Sequence, residues 1–549
     1  MSEELKSPLA MMYKWEAEKP DEEFMRQPID REPVTWTWKE AATEVRKMAA
    51  YLKSLNLEPG SRIGILSKNC GHWIMSDLAI MMSGHVSVPM YPNLNSETVR
   101  LVLEHSETKV LFVGKLDDYP SMKPGVPENV KCISYPYYAH SEYDNWKDLI
   151  ADVEPMQGSD EVDLQKLATI IYTSGTTGMP KGVMHKYHNF AFAVYNALKV
   201  VKLEGKEKYF SYLPLSHIAE RVLVEMGGLY SGGHISFAES LDTFPEDLAN
   251  TQPTVFLGVP RIWTKFQQGV LAKFSQGKLD FLTSIPLIGG IIKNKIRHKL
   301  GLSVARNIFT GAAPTPAALI NWYKKLGINI QEAYAMTENC CYSHVTTNDW
   351  IKIGMVGKAL PKCDVKLSDQ NEILIKHEAL MDGYYKEPEM TAESFVDGYL
   401  RTGDEGSIDS DGFLKITGRV KDLFKTSKGK YIAPAPIELA LSSNTNIEQV
   451  CVVGVSLPQP IALVVPSEKG KLLDKEVLSN NLDETRQSVN KSLDAHENIQ
   501  KVIVLKDEWT VENGLLTPTL KVKRNPLEKL HAPNYNTWYE ESMSIVFEN

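Results

Sequence analysis

The 549-residue sequence is sparing with cysteine, lacks an excess of positive charge, and has no uninterrupted apolar run long enough to cross a bilayer. Its six cysteines, Cys70, Cys132, Cys340, Cys341, Cys363 and Cys451, include no CxxC pair and no regular spacing. That pattern argues against a zinc ribbon and a disulfide framework and fits a reducing cytoplasm. The 60 Lys and Arg are outnumbered by 69 Asp and Glu, for a formal charge of -9, so the basic footprint expected of a duplex nucleic-acid binder is missing. The most apolar early segment, residues 73–90, is interrupted by Asp77 and His85 and broken at Gly84, which predicts a buried element rather than a span. The first twenty residues, MSEELKSPLAMMYKWEAEKP, are charged throughout and lack the apolar centre of a secretory signal. Low-complexity tracts and repeats of solenoid period are also lacking.

What is present is the composition of a folded protein, with 43% apolar and 23% charged residues, in a chain long enough for two or three domains. Short β-rich runs alternate with helix-like stretches. RIGILS, a helix-like run over 73–82 and HVSVPMY give strand, helix, strand; VLFVGK, LATIIYTSG, ISFAE, TVFLGVP and NIFTGAAP continue the pattern. The alternation predicts an α/β fold whose sheets are mixed and largely parallel. From residue 404 the character changes. DSDG marks a turn between two strand-like runs, and EQVCVVGVS, PIALVVPSE and QKVIVLKD beyond it predict a small domain with a mixed sheet. We place the boundary near Arg419 to Lys421, giving domains 1–420 and 421–549.

The strongest local signal is YTSGTTGMPKG (172–182), directly after the apolar run LATII. Glycines let backbone N–H groups approach an anion, hydroxyls add donors, and Lys181 adds charge, which together suit a polyphosphate. It is not a Walker loop, because Lys181 follows a proline and precedes Gly182 rather than Ser or Thr. A flexible polar surface loop is the plain alternative.

This segment resembles the phosphate loop of the adenylate-forming superfamily, which contains acyl-CoA synthetases, peptide-synthetase adenylation domains and firefly luciferases. Further along stand YLPLSHIAERV (212–222), FTGAAPTP (309–316), EAYAMTEN (332–339), YLRTGDEG (399–406), GRVKDLFKTSKGKYIAP (418–434) and LLTPTLKVKR (515–524). They follow the family's order, so the resemblance covers nearly the whole chain. PLSHIAER, GVPRIW (258–263) and LLTPTLKVKR are most similar to long-chain acyl-CoA synthetases. The implied fold is a large multi-layer N-terminal domain with a small mobile α+β C-terminal domain acting as a lid. The implied activity is ligation of a long- or medium-chain fatty acid to coenzyme A through an acyl-adenylate, with ATP and Mg²⁺.

The resemblance also implies roles for particular residues. Thr173, Ser174, Gly175, Thr176, Thr177, Gly178 and Lys181 would hold ATP phosphates, with Thr337 on the α-phosphate and Glu338 on Mg²⁺. Tyr334 would face adenine, and Gly311, Ala312 and Ala313 would lie near the base edge. The family usually has glycine where Ala335 stands. Asp404 would bind ribose, and Arg419 ribose or phosphate. Lys521 would bridge the substrate carboxylate and the α-phosphate, with Lys523, two residues on, as the competing assignment. Lys421 would be the hinge, and Lys425 and Gly429 would face the site in the thioester step. His217 lies in the segment resembling the acyl-pocket wall; it would close the carboxylate pocket, assist the thiol step, or simply pack in the core.

Three segments stay ambiguous. GGLYSGGHISF and FLGVP are expected either to line an acyl tunnel or to form ordinary buried strands. Residues 279–296, LDFLTSIPLIGGIIKNKI, are expected to be a buried connector, with peripheral contact to the inner face of a membrane as the rival reading. Two other functions compete with the CoA ligase. One is a fatty acyl-AMP ligase serving a separate carrier protein; the other is a non-catalytic adenylate-binding protein. Amino acid substrates are disfavoured, because His217 falls where a peptide synthetase needs a carboxylate.

Overall fold

The computed structural model describes residues 4–138, 140–156, 162–174, 180–517 and 519–548. Two large sheets carry the N-terminal part. In the first, Val86–Met90, Arg62–Leu66, Val110–Val113, Lys131–Ser134 and Asp144–Asn145 run parallel beside Leu167–Ser174, and Pro180–Lys186 returns antiparallel at the other edge with Gly383–Tyr384. Val86–Met90 is buried at every position and Val110–Val113 likewise, as continuous apolar runs covered on both faces should be. The second sheet is parallel through Glu23–Ile29, His234–Phe237, Lys208–Ser211, Val255–Gly258, Asn307–Thr310 and Gln331–Tyr334, with antiparallel strands at its edges.

The helix Gly71–Met82 is buried on all sides, which a helix apolar around its whole circumference requires. It shares one core with Met25 and Ile235 of the second sheet, Ile63 of the first, and Phe190 of the helix Tyr187–Leu198. The expected strand, helix, strand order over 61–91 is present, with Arg62 paired to Val86 in parallel.

A third, wholly antiparallel sheet was not foreseen. It joins Asp364–Leu367, Glu372–Lys376, Tyr399–Ile408, Phe395–Val396 and Leu414–Arg419. Its last hairpin closes at the DSDG turn, where the Asp409 carboxylate accepts the backbone N–H groups of Asp411 (3.0 Å) and Phe413 (2.9 Å). Beyond it Ile447–Val453, Ile461–Pro466, Lys501–Val504 and Ile545–Phe547 form a four-stranded sheet with one antiparallel and two parallel pairings. The mixed sheet of the small domain is as expected, except that the three-residue strand at 545–547 carried no sequence signal. Its apolar cores, around Ile437, Val464 and Leu482 on one face and Leu463, Trp509 and Trp538 on the other, are its own.

The buried connector expected over 279–296 is not found. The segment forms the helices Gln276–Ser284 and Ile288–Lys299, in which only Leu279, Gly289 and Ile296 are buried. Its apolar residues occur on both sides of the hairpin, so a single inward face cannot take them all. Among the described residues no helix is long and apolar enough to cross a membrane.

Candidate active site

A cavity of about 2520 Å³ opens where the C-terminal ends of the parallel strands meet the antiparallel sheet and the C-terminal domain. Open α/β sheets bind ligands at this end because loops diverge there and leave a crevice.

One wall is built by neighbouring strands. Asn307–Thr310 runs into Gly311, Ala312 and Ala313, all lining the cavity. Ala312 sits at φ 64°, a left-handed conformation that turns the chain sharply, and a side chain at Gly311 would come within 3.2 Å of the Ala333 carbonyl. In the adjacent strand the Tyr334 hydroxyl donates to Asp404 at 2.7 Å. Burial, with the Asp404 charge beside it, holds the Tyr334 phenol well above its usual range, so it stays a donor. Asp404 also takes Arg419 Nε at 2.9 Å. These two residues face each other across one antiparallel pair, so strand register alone brings them together.

A second cluster surrounds the short helical turn Thr337–Asn339. Glu338 accepts from the Tyr384 hydroxyl at 2.9 Å, and the Lys181 ammonium lies 5.2 Å from the Tyr384 ring. The Thr337 carbonyl accepts the Nε2–H of His185 at 2.7 Å. Burial brings His185 down to about 4, so the ring is neutral at pH 7 and acts as a donor strut. Thr173 pairs with Lys181 across the hairpin, and both line the cavity. The expectations for Gly175, Thr176, Thr177 and Gly178 lie outside the described residues, as does the side chain of Ser174.

His217 and Lys521 approach from other elements. His217 caps the helix Ile218–Glu220, its Nδ1 accepting the backbone N–H of Ala219 at 3.2 Å. That bond leaves the ring proton on Nε2. Burial, with the Lys521 ammonium adding to it, brings His217 down to about 4. Lys521 follows Leu520, which has φ 61°, and its loop is tied by Lys521 N–H to Thr517 Oγ1 (3.0 Å) and Thr517 N–H to the Lys521 carbonyl (2.8 Å). Lys521 is open to the water of the cleft, yet dense protein surrounds it. That enclosure, then the Arg419 guanidinium, lowers its pKa, while Asp404 and Glu338 oppose the change. Five of the expected residues thus act on one another electrostatically around one space. Lys523 also lines the cavity, as the residue capping the helix Arg524–His531.

An apolar arm of the cavity runs between the helix Tyr187–Leu198 and an irregular stretch, Arg221–Met226, wound as a π-helix. Val194, Leu198, Val222, Leu223, Gly227 and Leu257 line it. Of the two segments expected to line a tunnel or pack as strands, Gly227, Leu257, Val259 and Pro260 reach the cavity, while Gly228, Leu229, Ile235 and Phe237 are buried packing. The wide turn is anchored by buried Arg221, which donates to both Asp77 oxygens (2.5 and 2.6 Å) and to Thr169 (2.7 Å). Beside it Glu220 accepts the Tyr212 N–H at 3.0 Å, and burial pushes this carboxyl up to about 8.

Lys421 lines the cavity; Lys425 and Gly429 lie beyond its lining, on a short hairpin where the Lys425 ammonium sits 5.6 Å from the Tyr431 ring. Sequence reasoning missed Tyr384, His185, the Asp77–Arg221 pair and Glu332. Glu332 lines the cavity, and burial raises it to about 7 against one bond from Gly354 N–H (3.0 Å). Arg221 and Glu332 stand inside the motifs YLPLSHIAERV and EAYAMTEN without a role assigned to them there, and Tyr384, His185 and Asp77 stand in none.

Comparison with known proteins bears on the chain as a whole. A long-chain-fatty-acid–CoA ligase of Mycobacterium bovis, FadD15, is 29% identical over 97% of this chain and 97% of its own. Long chain acyl-CoA synthetase 4 of Arabidopsis thaliana is 28% identical over 94% of this chain and 89% of its own. The adenylation domain of a carboxylate reductase from Mycobacterium chelonae superposes with a TM-score of 0.82 at 24% identity, over 97% of this chain and 91% of that one. The AMP-binding enzyme C-terminal domain model matches residues 421–543. With the AMP-binding enzyme model matching residues 12–385, more than half of its length, this chain belongs to the AMP-binding enzyme family.

Proposed function

We propose that the chain is a long- or medium-chain fatty acid:CoA ligase that works in two steps at this one cavity. In the first, an oxygen of the acid's carboxylate attacks the α-phosphorus of ATP, and pyrophosphate leaves. In the second, the CoA thiolate attacks the acyl carbonyl, and AMP leaves. The observation that carries the reading is the meeting of Lys521, Arg419, Asp404, Glu338 and His217 at the mouth of an apolar arm.

The first step brings two anions together, so it needs fixed cations. Lys521 and Lys181 are suited to supply them. The Asp404 oxygens, already aligned by Tyr334 and Arg419, suit the paired hydroxyls of ribose. His217, neutral and presenting Nε2–H, can hold an acyl carboxylate without adding charge. Its Nδ1 is engaged, which argues against a role as general base through that atom. Glu338 offers one carboxylate, oriented by Tyr384. One carboxylate fits a Mg²⁺ that completes its oxygen shell with ATP phosphates, where it would neutralise charge on the leaving pyrophosphate. The six free cysteines support a reducing, cytoplasmic setting.

A panel of carboxylic acids with MgATP, scored for AMP and pyrophosphate with and without CoA, tests the proposal. AMP formation that depends on a fatty acid, with a thioester appearing once CoA is added, is the expected result. An adenylate that builds up and ignores CoA would assign the acceptor role to a separate carrier protein. ADP as product, or no exchange with any acid, would sink the ligase reading.

A further inference from the structure

The hairpin of helices Gln276–Ser284 and Ile288–Lys299 is solvent-facing and apolar at its tip. Phe281 is 66% exposed, Leu287 90% and Ile291 68%. Its inner side is accounted for: Leu279 and Ile296 pack in a core with Trp322, whose indole N–H donates to Gln276 at 2.9 Å. The outer apolar residues take no part in that packing. Their display is held in place, since Leu287 has φ 67° and a side chain at Gly289 would meet the Thr283 carbonyl at 2.4 Å. The turn therefore closes tightly on a glycine and turns Leu287 outward.

We propose that this hairpin docks the protein on an anionic lipid bilayer. Charge chooses the occupant. The whole chain is acidic, at -9, yet residues 273–299 hold Lys273, Lys278, Lys293, Lys295, Arg297 and Lys299 against one carboxylate, Asp280. An apolar tip followed by a basic collar is the arrangement that enters a headgroup layer, side chains dipping into the acyl boundary while cations meet lipid phosphates. Outside this segment the chain is acidic on balance, so the contact also favours one orientation. The helix Pro260–Leu271 connects this surface to the cavity: Pro260, Arg261 and Ile262 at its start line the cavity, and four residues separate its end from the hairpin. At 1.5 Å per residue this connecting helix is roughly 18 Å long. An acid dissolved in the bilayer is thus brought near the apolar arm. The docking itself stands on surface residues alone and does not depend on which reaction the cavity performs.

The test is co-sedimentation of the purified chain with vesicles of phosphatidylcholine, with or without a third phosphatidylglycerol, in the absence of ATP and acid. The chain should pellet at least tenfold more with the anionic vesicles. The triple variant Phe281→Ser, Leu287→Ser, Ile291→Ser should lose that binding at least tenfold with an unchanged thermal melt. Lys293→Gln with Lys295→Gln should weaken it by roughly fivefold per cation and flatten its salt dependence. Three outcomes overturn the proposal. They are wild-type protein that stays in the supernatant, a triple variant that pellets as well as wild type, and a concentration-dependent dimer lost in the triple variant while vesicle binding persists.

Discussion

The two halves of the site are made differently. Asp404, Arg419 and Tyr334 are aligned by sheet register and by hydrogen bonds within the N-terminal layers. Lys521 is brought in by a tight loop of the C-terminal domain, held locally by Thr517 rather than by the sheets it faces. The first half is preformed; the second is present only while the small domain keeps this orientation. Lys425 and Gly429, on the same small domain, lie beyond the cavity here. We therefore propose that rotation at Lys421 exchanges them with Lys521 between the two steps, the hinge absorbing the backbone change.

Breaking the delivered half should have the largest effect. At about 4 Å and an effective dielectric of about 20, one cation is worth roughly 4 kcal/mol, or about a thousandfold in rate. Lys521→Ala should lose about that much in adenylation while still converting supplied acyl-adenylate and CoA to product. Lys523→Ala should change either half-reaction less than about fivefold. Lys421→Pro, with φ held near roughly -65°, should do the opposite of Lys521→Ala if it traps the present pose. Equal loss of both half-reactions in folded Lys521→Ala and Lys421→Pro proteins would remove the distinction between the halves.

Damage to the preformed half should cost less in rate and leave a metal signature. Glu338→Gln keeps the shape but loses the charge, so adenylation should fall about a hundredfold and recover partly at high Mg²⁺. A rate independent of Mg²⁺ and equal to wild type would make Glu338 structural. The apolar arm can be narrowed separately. A side chain at Gly227 would meet the Tyr209 ring at 3.2 Å, so Gly227→Val should lower kcat/KM for the longer acids about tenfold relative to shorter ones. An unaltered chain-length profile would show that the acyl chain lies elsewhere.

The smallest effect concerns stability. Glu220, raised to about 8 by burial, is protonated in the fold at neutral pH but ionised in the unfolded chain above about pH 4.3. Its contribution is therefore complete below the unfolded value and declines as pH rises toward 8. Glu220→Gln should flatten the fall in melting temperature between pH 5 and 8 by several degrees. A melting profile parallel to wild type over that range would show that Glu220 does not carry the pH dependence.

Several elements could be read directly because their cause is local. Apolar runs such as LATII and VLFV form buried parallel strands, and DSDG turns because Asp409 accepts the backbone N–H groups of Asp411 and Phe413. The motifs carrying Asp404 and Arg419 were visible, but the Tyr334 that bonds Asp404 comes from another sheet, 70 residues away in sequence. His185 and Tyr384 had no signal at all, since a histidine in KGVMHKYHN and a tyrosine in DGYYKEP look like any surface polar residue. The helices over 276–299 were misread for a related reason: apolar content was legible, but which neighbours would cover it was not.

By itself, the sequence determined the α/β alternation, the family and the candidate polar residues, because periodicity and motif chemistry act over a few residues at a time. Only the tertiary structure decided that Lys521 rather than Lys425 meets Asp404 and Glu338, that Arg221 braces a widened helix beside the apolar arm, and that Leu287 points into solvent. Those outcomes depend on which distant surfaces pack together, and packing is a property of the whole chain.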